Sequence, residues 1–523
     1  MPAEVTIDGE SLTPAGVEAV ARNRAPVTVP ESARERVRAS RERIEGIVAS
    51  GEAVYGVNTG FGDLVDERIP DEDIETLQRN LLRSHAAGTG RELATEEVRA
   101  MLVTRLNALV KGYSGVRERV VDLLAAMLNE RVHPVVPAKG SLGASGDLAP
   151  LAHLALVTIG EGDAVVDGDR LPGDEALARR DLEPIDLQAK EGLALINGTQ
   201  LTVGLAALVL CDAERAIRAA DVAGALTTEV TMGTTASAHP RIQEIRPHDG
   251  HRETAENVRA LTAGSEIVES HRNCDRVQDA YSIRCTPQVH GAVRDALAHL
   301  REAVETELNS ATDNPLVFDA GQVDGRASGA GDAAVLSGGN FHGEPLALPL
   351  DYVTGALAEL AAISERRIDR LLNPSVQEDH LPPFLTDDSG LESGYMIAQY
   401  TAADLVSTTR SMGRPSTDNV PVSGNQEDHV SMSAQSAQLA REAAGNAMHV
   451  VATELTCATQ ALEFVGDHDP GAGTGAAAEL VREHVPPLET DRPVGEDVEA
   501  VRNLIASDRL DVRVDGALDG DFL

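Results

Sequence analysis

Tryptophan is absent from this sequence of 523 residues, and aromatic residues together make up only 2% of it. Hydrophobic residues nonetheless account for 42% and charged residues for 25%, which are proportions typical of a globular protein and not of a disordered chain. The core must therefore consist mainly of Ala, Leu and Val. Length alone allows one large core or two or three domains.

Cysteine is also scarce, and its positions show no CxxC pairing. This argues against a disulfide framework and against a zinc site, so we expect no metal. The N-terminal MPAEVTIDGE lacks the basic and apolar regions of a signal peptide, and no run approaches the roughly 18 uncharged apolar residues of a membrane span. We therefore expect a cytoplasmic protein that does not associate with a membrane. The cysteines are Cys211, Cys274, Cys285 and Cys457.

Lysine occurs only at Lys111, Lys139 and Lys190, so nearly all positive charge comes from Arg. The net charge of -39 arises from acidic residues spread along the whole chain and not from one acidic tail. Such a surface repels nucleic acid, which we exclude as a partner. It also repels itself in dilute salt, whereas at molar salt the screening length falls to about 3 Å and most of that repulsion disappears. The charge indicates a halophilic protein, with an ordinary acidic protein as the alternative.

Helical patterns dominate the sequence. Apolar residues recur at steps of three to five over residues 92–111, whereas strand patterns are few and short, as at 164–166. Long helices are usually members of a bundle, because alone they could not bury an apolar stripe. The sequence therefore predicts an all-α dominated fold. Its longest predicted helices, all rich in Ala and Leu, are 201–230, 344–372 and 434–464.

Gly-rich loops lie between the predicted helices, and loops on a rigid scaffold are where sites are often built. We divide the chain at residue 200, into a smaller, loop-rich N-terminal region that bears the site (1–200) and a region of long helices and C-terminal sequence (201–523), within one continuous domain. The segment 467–475 is expected to be an exposed turn between helices. Its glycines do not indicate nucleotide binding, since no strand precedes them. The loops are 55–62, 140–146, 328–331 and 337–343.

Residues 134–156, PVVPAKGSLGASGDLAPLAHLAL, allow three interpretations. In a structural one, the glycines form a tight turn, Asp147 caps the next helix and Pro150 lies in its first turn. In a second, the glycines cradle a phosphate, although the Lys-Ser/Thr ending of a P-loop is missing. In a third, the triplet 144–146 folds tightly enough for the glycine nitrogen to reach the alanine carbonyl carbon, and loss of water leaves a methylidene electrophile. For an isolated Ala-Ser-Gly the structural interpretation is favoured.

The full string GSLGASGDLAPLAHLAL is more specific, and it resembles the signature of the aromatic amino acid ammonia-lyase and aminomutase family. In that family the triplet, here Ala144, Ser145 and Gly146, becomes 4-methylidene-imidazol-5-one (MIO), with the serine as dehydroalanine. The resemblance implies no external cofactor. Further matching segments are YGVNTGFG (55–62), SHAAGTG (84–90), INGTQ (196–200), VQDAYSIRC (277–285), TDNPLVF (312–318), GGNFHGEP (338–345) and NQEDHVSM (425–432).

This resemblance implies a long-helix bundle of the aspartase/ammonia-lyase type, in a homotetramer whose pockets draw residues from more than one subunit. Tyr55, on the loop that matches the family's mobile lid, would be the base, so its phenol must be made more acidic than a free tyrosine. Tyr281 matches a second tyrosine that assists proton handling or the electrophile. Arg284, three residues later, matches a clamp for the substrate carboxylate. Asn197 matches the asparagine that hydrogen-bonds near the electrophile, and Gln278 and Phe341 match residues that line the pocket.

Two positions bear on the substrate. Ser84 and His85 are similar to the histidine-acting members, where phenylalanine-acting members typically have Phe-Leu and tyrosine-acting members His-Leu. Glu427 is also the residue of the histidine subgroup, where the others carry an amide. A carboxylate can hold an imidazole N–H by a charge-assisted hydrogen bond but gains nothing from a phenyl ring. The resemblance thus implies elimination of ammonia from L-histidine to give trans-urocanate, the first step of histidine degradation.

Other functions stay open. The chain could be another MIO enzyme, namely a tyrosine or phenylalanine ammonia-lyase or an aminomutase, or a catalytically silent relative that acts as a scaffold. The aspartase and fumarase group shares an all-α fold and eliminates without MIO, but its GSSxMPxKxNP signature is absent here.

Overall fold

The computed structural model describes residues 3–59, 69–272, 276–323, 325 and 327–518. Helices dominate this part of the chain, which confirms the all-α prediction. The helices are α1 (Pro14–Ala21), α2 (Glu31–Ser50), α3 (Ile74–His85), α4 (Thr95–Val110), α5 (Glu118–Asn129), α6 (Leu148–Thr158), α7 (Gly173–Ala178), α8 (Glu191–Ile196), α9 (Gln200–Val230), α10 (Pro240–Glu244), α11 (Asp249–Leu261), α12 (Glu266–Ser270), α13 (Tyr281–Arg284), α14 (Thr286–Leu308), α15 (Glu344–Leu372), α16 (Met396–Arg410), α17 (Ser433–Ala461), α18 (Ala472–Arg482), α19 (Val494–Ala506) and α20 (Arg509–Asp515).

The strands are short and form small sheets. β1 pairs with β2 in parallel, β3 with β5 and β8 with β9 antiparallel, and β4, β6 and β7 form an antiparallel sheet in the order β4-β6-β7. The predicted strand at 164–166 lies within β6, and Asp167 and Gly168, both with positive φ, turn the chain into β7. The strands are β1 (Val5–Thr6), β2 (Val27–Thr28), β3 (Thr89–Glu92), β4 (His133–Pro134), β5 (Pro137–Lys139), β6 (Asp163–Val166), β7 (Asp169–Pro172), β8 (Leu316–Asp319) and β9 (Ala333–Leu336).

The predicted long helices are confirmed. They correspond to α9, α15 and α17, with boundaries that differ by at most a few residues. The helix predicted from residue 92 begins later, at Thr95, because the Glu97 carboxylate accepts a hydrogen bond of 2.7 Å from the Ala94 N–H and starts α4 there. The segment 467–475 was expected to be an exposed turn, but this is only half right, since α18 begins at Ala472 and includes its last residues.

The chain groups into two compact units that are discontinuous in sequence. Unit 1 comprises Met1–Val209, Arg301–Asp351 and Arg414–Gln438, and it contains all the strands that the structure describes. Unit 2 comprises Leu210–Leu300, Tyr352–Gly413 and Leu439–Leu523. The sequence placed a site-bearing region at 1–200 and a region of long helices at 201–523, and this division stays a prediction.

The core of unit 1 shows how a chain so poor in aromatics packs. Helix α4 is buried at every position from Glu97 to Val110. The part of α9 in this unit passes so close to it that a Cβ added at Gly204 would lie 3.0 Å from the carbonyl carbon of Ala100. Small residues therefore let helix backbones approach each other, where large side chains would keep them apart.

Unit 2 contains a buried ionic network. Arg367 and Glu454, both fully buried, are joined by hydrogen bonds of 2.5 and 2.8 Å, and Arg367 also donates to the Ser282 carbonyl oxygen at 3.3 Å. Buried charges need such partners, because an unpaired ion in a core is strongly destabilising. This network holds the short helix α13 in place through Ser282.

By length and composition, α15 is apolar enough to cross a membrane, and it is the one such helix among the described residues. However, 72% of its apolar window is buried inside the protein. Burial of this kind is the property of a helix packed in a protein core.

Candidate active site

A cavity of about 1020 Å³ lies within unit 1. Its wall combines the end of α3, the loop before α6, the end of α8, the loop after β9 and the loop that precedes α17. Residues far apart in sequence therefore meet around one space large enough for an amino acid. The site residues predicted from the sequence that line this cavity are Tyr55, His85, Ala144, Ser145, Asn197, Phe341 and Glu427.

The loop between β5 and α6 carries the Ala-Ser-Gly triplet in a compressed backbone. Gly146 has φ +72°, and a Cβ added there would lie 2.2 Å from the carbonyl oxygen of Gly198. Gly143 has φ +70°, and a Cβ there would lie 2.1 Å from the Ser431 hydroxyl. The N–H of Asp147 donates to the Gly198 carbonyl at 2.7 Å. The triplet is thus held against neighbouring backbone at a separation that only glycine permits.

Asp147 precedes α6, but its carboxylate does not cap that helix as one interpretation of the sequence expected. It accepts hydrogen bonds from the Ser141 hydroxyl at 2.7 Å and from the Thr202 N–H at 2.8 Å. Full burial raises the pKa of Asp147, and these hydrogen bonds act against that rise. Asp147 therefore joins the triplet loop to the first turn of α9.

Asn197 directs its amide at the triplet. It follows α8, and its Nδ2 donates to the Ser145 carbonyl oxygen at 2.9 Å and to the Ser145 hydroxyl at 2.8 Å. Both oxygens of one residue are thereby held by a single amide group. An N–H donor fixed on a carbonyl oxygen stabilises negative charge that develops there.

Ser84 and His85 lie at the end of α3, and His85 faces the cavity. The Nδ1 of His85 lies 2.9 Å from the Leu81 carbonyl oxygen, which can only accept, so Nδ1 carries the proton. Ser84 also donates to that carbonyl, at 3.1 Å. Burial lowers the pKa of His85, which favours the neutral ring. Its Nε2 is then a hydrogen-bond acceptor.

Tyr55 and Glu427 are half-buried in the cavity wall. Burial raises the pKa of Glu427, while burial and the nearby charge of Glu427 both raise the pKa of Tyr55. The sequence required a phenol more acidic than usual, and the described surroundings of Tyr55 act in the opposite direction. Residues 60–62 of the predicted lid loop lie outside the described residues.

Among the cavity residues that the sequence did not predict are two histidines, His342 and His429. Their imidazole rings are stacked, with centroids 5.6 Å apart and planes within 3°. Each lies next to a predicted site residue or in the same motif, since His342 follows Phe341 and His429 is in NQEDHVSM with Glu427. That adjacency is the signal that could have identified them.

Three predicted site residues, Gln278, Tyr281 and Arg284, belong to unit 2 and are not among the residues that line the unit 1 cavity. Tyr281 and Arg284 share one face of α13, with the guanidinium carbon 4.6 Å from the centre of the Tyr281 ring. Tyr281 is 70% exposed, and Gln278 is exposed as well. Arg284 is half-buried.

Replacement of Gly146 by alanine should destabilise the protein strongly, because the new methyl group has no room beside Gly198. Gly168→Ala is the matched control, since Gly168 also has positive φ but no atom lies within 4 Å of its added Cβ. We expect a loss of about 1 kcal/mol for Gly168→Ala and roughly 3 kcal/mol or more for Gly146→Ala, read from thermal unfolding. Equal unfolding temperatures for the two variants would contradict the close approach.

Comparison with known proteins places the chain in a family. The sequence model of the aromatic amino acid lyase family matches residues 12–483. A protein of Halobacterium salinarum named "Probable histidine ammonia-lyase" is 65% identical over 98% of each chain. Among solved structures, tyrosine aminomutase from Streptomyces globisporus has a TM-score of 0.92 at 39% identity and covers 100% of both chains. Histidine ammonia-lyase from Trypanosoma cruzi has a TM-score of 0.89 at 39% identity, over 98% of this chain and 95% of that one. These structures also confirm the predicted fold type, and the chain belongs to the aromatic amino acid lyase family.

Proposed function

We propose that this lyase eliminates ammonia from L-histidine to give trans-urocanate. The observation that carries the proposal is the shared cavity in which Ser145, Tyr55 and Glu427 line one space. The relatives from Halobacterium salinarum and Trypanosoma cruzi, whose names state histidine ammonia-lyase, support the choice of substrate.

Lyases of this family depend in general on MIO. In this chain its formation requires a bond between the Gly146 nitrogen and the Ala144 carbonyl carbon, whose oxygen leaves as water. Ser145 then loses its hydroxyl group and α-proton as a second water, so no oxidant or external cofactor is needed. The residues fit this group, since the backbone at Gly146 is compressed against Gly198 and the Asn197 amide already holds both oxygens of Ser145. When formed, MIO would supply an electrophile for the substrate amine, which would make the amine nitrogen a better leaving group.

The other steps of the reaction are carried out by separate side chains of the cavity. The Tyr55 oxygen removes the β-proton of the substrate, and the raised pKa of this phenol means that its anion is scarce at neutral pH until the surroundings change. Asn197 holds the Ser145 carbonyl oxygen, where negative charge develops. The Glu427 carboxylate accepts the imidazole N–H, and the acceptor Nε2 of His85 provides a second polar contact. The Ser84 hydroxyl lies 3.1 Å from the Nδ1 of His85 and supports that ring, and Phe341 forms an apolar part of the cavity wall.

Gln278, Tyr281 and Arg284 complete the site in this proposal, with Arg284 as the carboxylate clamp and Tyr281 assisting proton handling or the electrophile. The exposure of Gln278 and Tyr281 on unit 2 supports a homotetramer in which pockets draw residues from more than one subunit. The protein is cytoplasmic and halophilic in this account, with no membrane or nucleic acid partner. The net charge of -39 supports both the salt adaptation and the exclusion of nucleic acid.

The proposal is tested by incubating the purified protein with histidine, tyrosine and phenylalanine, in dilute buffer and at molar NaCl, and following the ultraviolet absorbance of the products. We expect urocanate from histidine, with higher activity at molar salt because screening relieves repulsion between surface carboxylates. Intact mass should fall short of the encoded chain by two water molecules.

Other outcomes separate the alternatives. A product from tyrosine or phenylalanine with none from histidine would assign another MIO enzyme of this family. A chain of full encoded mass without activity on any of the three would indicate a silent relative.

Arg284→Ala should raise KM for histidine roughly ten-fold or more, because two hydrogen bonds to the substrate carboxylate are lost. Thermal unfolding should change little, since the guanidinium is partly exposed and rests on an exposed ring. Arg366→Ala is the control, because Arg366 is another arginine of unit 2, is exposed, and pairs with Glu365. Unchanged kinetics for Arg284→Ala would refute the clamp.

Glu427→Gln should lower kcat/KM for histidine by roughly ten- to 100-fold, since a hydrogen bond to a charged group contributes about 1.5–3 kcal/mol. Any activity on phenylalanine should not fall, because a phenyl ring gains nothing from the carboxylate. The control is Asp428→Asn, which removes the same charge from the adjacent exposed position in the cavity wall. Equal losses in both variants would show a general effect of charge and contradict recognition of the imidazole by Glu427.

A further inference from the structure

Helix α4 buries two arginines, Arg99 and Arg105, with exposures of 1% and 0%. Arg99 donates to the carbonyl oxygens of Val20 and Leu128, both at 2.9 Å, and so joins separate segments of unit 1. Arg105 instead donates to the carbonyl oxygen of Asn197 at 2.7 Å. Its Nε and second terminal nitrogen have no hydrogen-bond partner among the described residues. A buried guanidinium is costly, so its retention beside one carbonyl requires an explanation.

The hydrogen bond between Arg105 and Asn197 lies at a break between two helices. α8 ends at Ile196 and α9 begins at Gln200, with Gly198 at φ +138° between them. Asn197 has an extended backbone conformation at this break. Its carbonyl oxygen therefore points away from the helix and accepts its hydrogen bond from Arg105. The same residue extends its amide to Ser145. Arg105 therefore holds the backbone from which the hydrogen bonds to Ser145 are made.

The charges around Arg105 are unequal. Lys190, which is also fully buried, pairs with Asp313 at 3.0 Å. Among the described residues, Asp313 is the only carboxylate whose charge acts on Arg105. Burial lowers the pKa of Arg105 to about 10, and Asp313 raises it, so the guanidinium is charged at neutral pH. Two cations thus share one carboxylate behind Asn197. A neutral side chain could donate a hydrogen bond to the Asn197 carbonyl with a smaller desolvation cost. The charged and rigid guanidinium group therefore has a role beyond satisfying that carbonyl.

We infer that Arg105 is a positioning residue for Asn197, and that it keeps the Asn197 amide on the two oxygens of Ser145. Arg105 does not line the cavity, so it acts on the reaction through Asn197 and not through the substrate. The inference rests on the proposed function, because its effect passes through the triplet Ala144–Ser145–Gly146. Loss of Arg105 should slow water loss from the triplet and lower turnover, with little effect on substrate binding.

The test compares Arg105→Gln and Arg105→Lys with the wild-type protein and with the matched variants Arg99→Gln and Arg99→Lys. Arg99 is buried in the same helix and bonded to carbonyls, but not to Asn197. Each full-length protein is examined by intact mass, for the fraction of chains that have lost two waters, and by steady-state kinetics with histidine. Thermal unfolding is measured in parallel.

For Arg105→Gln we expect a larger fraction of unmodified chains and a kcat reduced roughly ten-fold or more, because a charge-assisted hydrogen bond is lost. KM should change by less than about two-fold, since no substrate contact is removed. Arg105→Lys should recover part of both properties, and it also serves if the glutamine variant does not fold. The Arg99 variants should lower thermal stability while keeping the wild-type mass and kcat.

Two results would overturn the inference. One is wild-type mass and kcat in the Arg105 variants. The other is equal losses in the Arg99 variants, which would show that any buried arginine of α4 has this effect. A wild-type protein that retains both waters would instead overturn the proposed function, and the inference would fall with it.

Discussion

The site depends on one close approach, that of the triplet loop to the backbone at Gly198. At this point no side chain fits between the two segments, because a Cβ on Gly146 would overlap the Gly198 carbonyl. The same junction holds Asn197, whose amide bonds to Ser145, and it precedes Thr202, whose N–H bonds to Asp147. Two residues of the triplet, Ser145 and Gly146, are thus fixed by the break between α8 and α9, and the adjacent Asp147 is fixed by the first turn of α9. Arg105 acts on that break from a third helix.

The sequence predicted the parts of this arrangement that depend on local pattern. Ala- and Leu-rich periodicity located α9, α15 and α17 within a few residues, since the spacing of apolar positions is a property of one segment. Seven predicted site residues were identified by motif and line one cavity. The partners of Asp147 and Arg105 could not be predicted, because a pattern of spacing does not tell a buried charge from a solvated one. The orientation of the Asp147 carboxylate toward Thr202, and not toward its own helix, is set by packing between segments 55 residues apart.

The backbone fold and the substrate preference depend on different residues of the chain. The tyrosine aminomutase and the histidine ammonia-lyase compared above are both 39% identical to this chain and have nearly equal TM-scores. The backbone therefore distinguishes neither the substrate nor the outcome of the reaction. Discrimination must come from a few cavity side chains whose replacement leaves the fold intact. In the proposed function those are the Glu427 carboxylate and the Nε2 of His85, and the carboxylate accepts the N–H that an imidazole has and a phenyl ring lacks.

The raised pKa of Tyr55 is caused in part by one of the same cavity residues, Glu427. Burial is its larger cause and the charge of Glu427 the smaller one. In the proposed function, a histidine imidazole donates its N–H to Glu427 and draws that negative charge toward itself. The repulsion between the carboxylate and a forming phenolate then weakens, which lowers the pKa of Tyr55 when the substrate is in place. The residue that selects the imidazole therefore also acts on the base, through the smaller of the two causes of its raised pKa, and a phenyl ring at the same position would leave the repulsion by Glu427 unchanged.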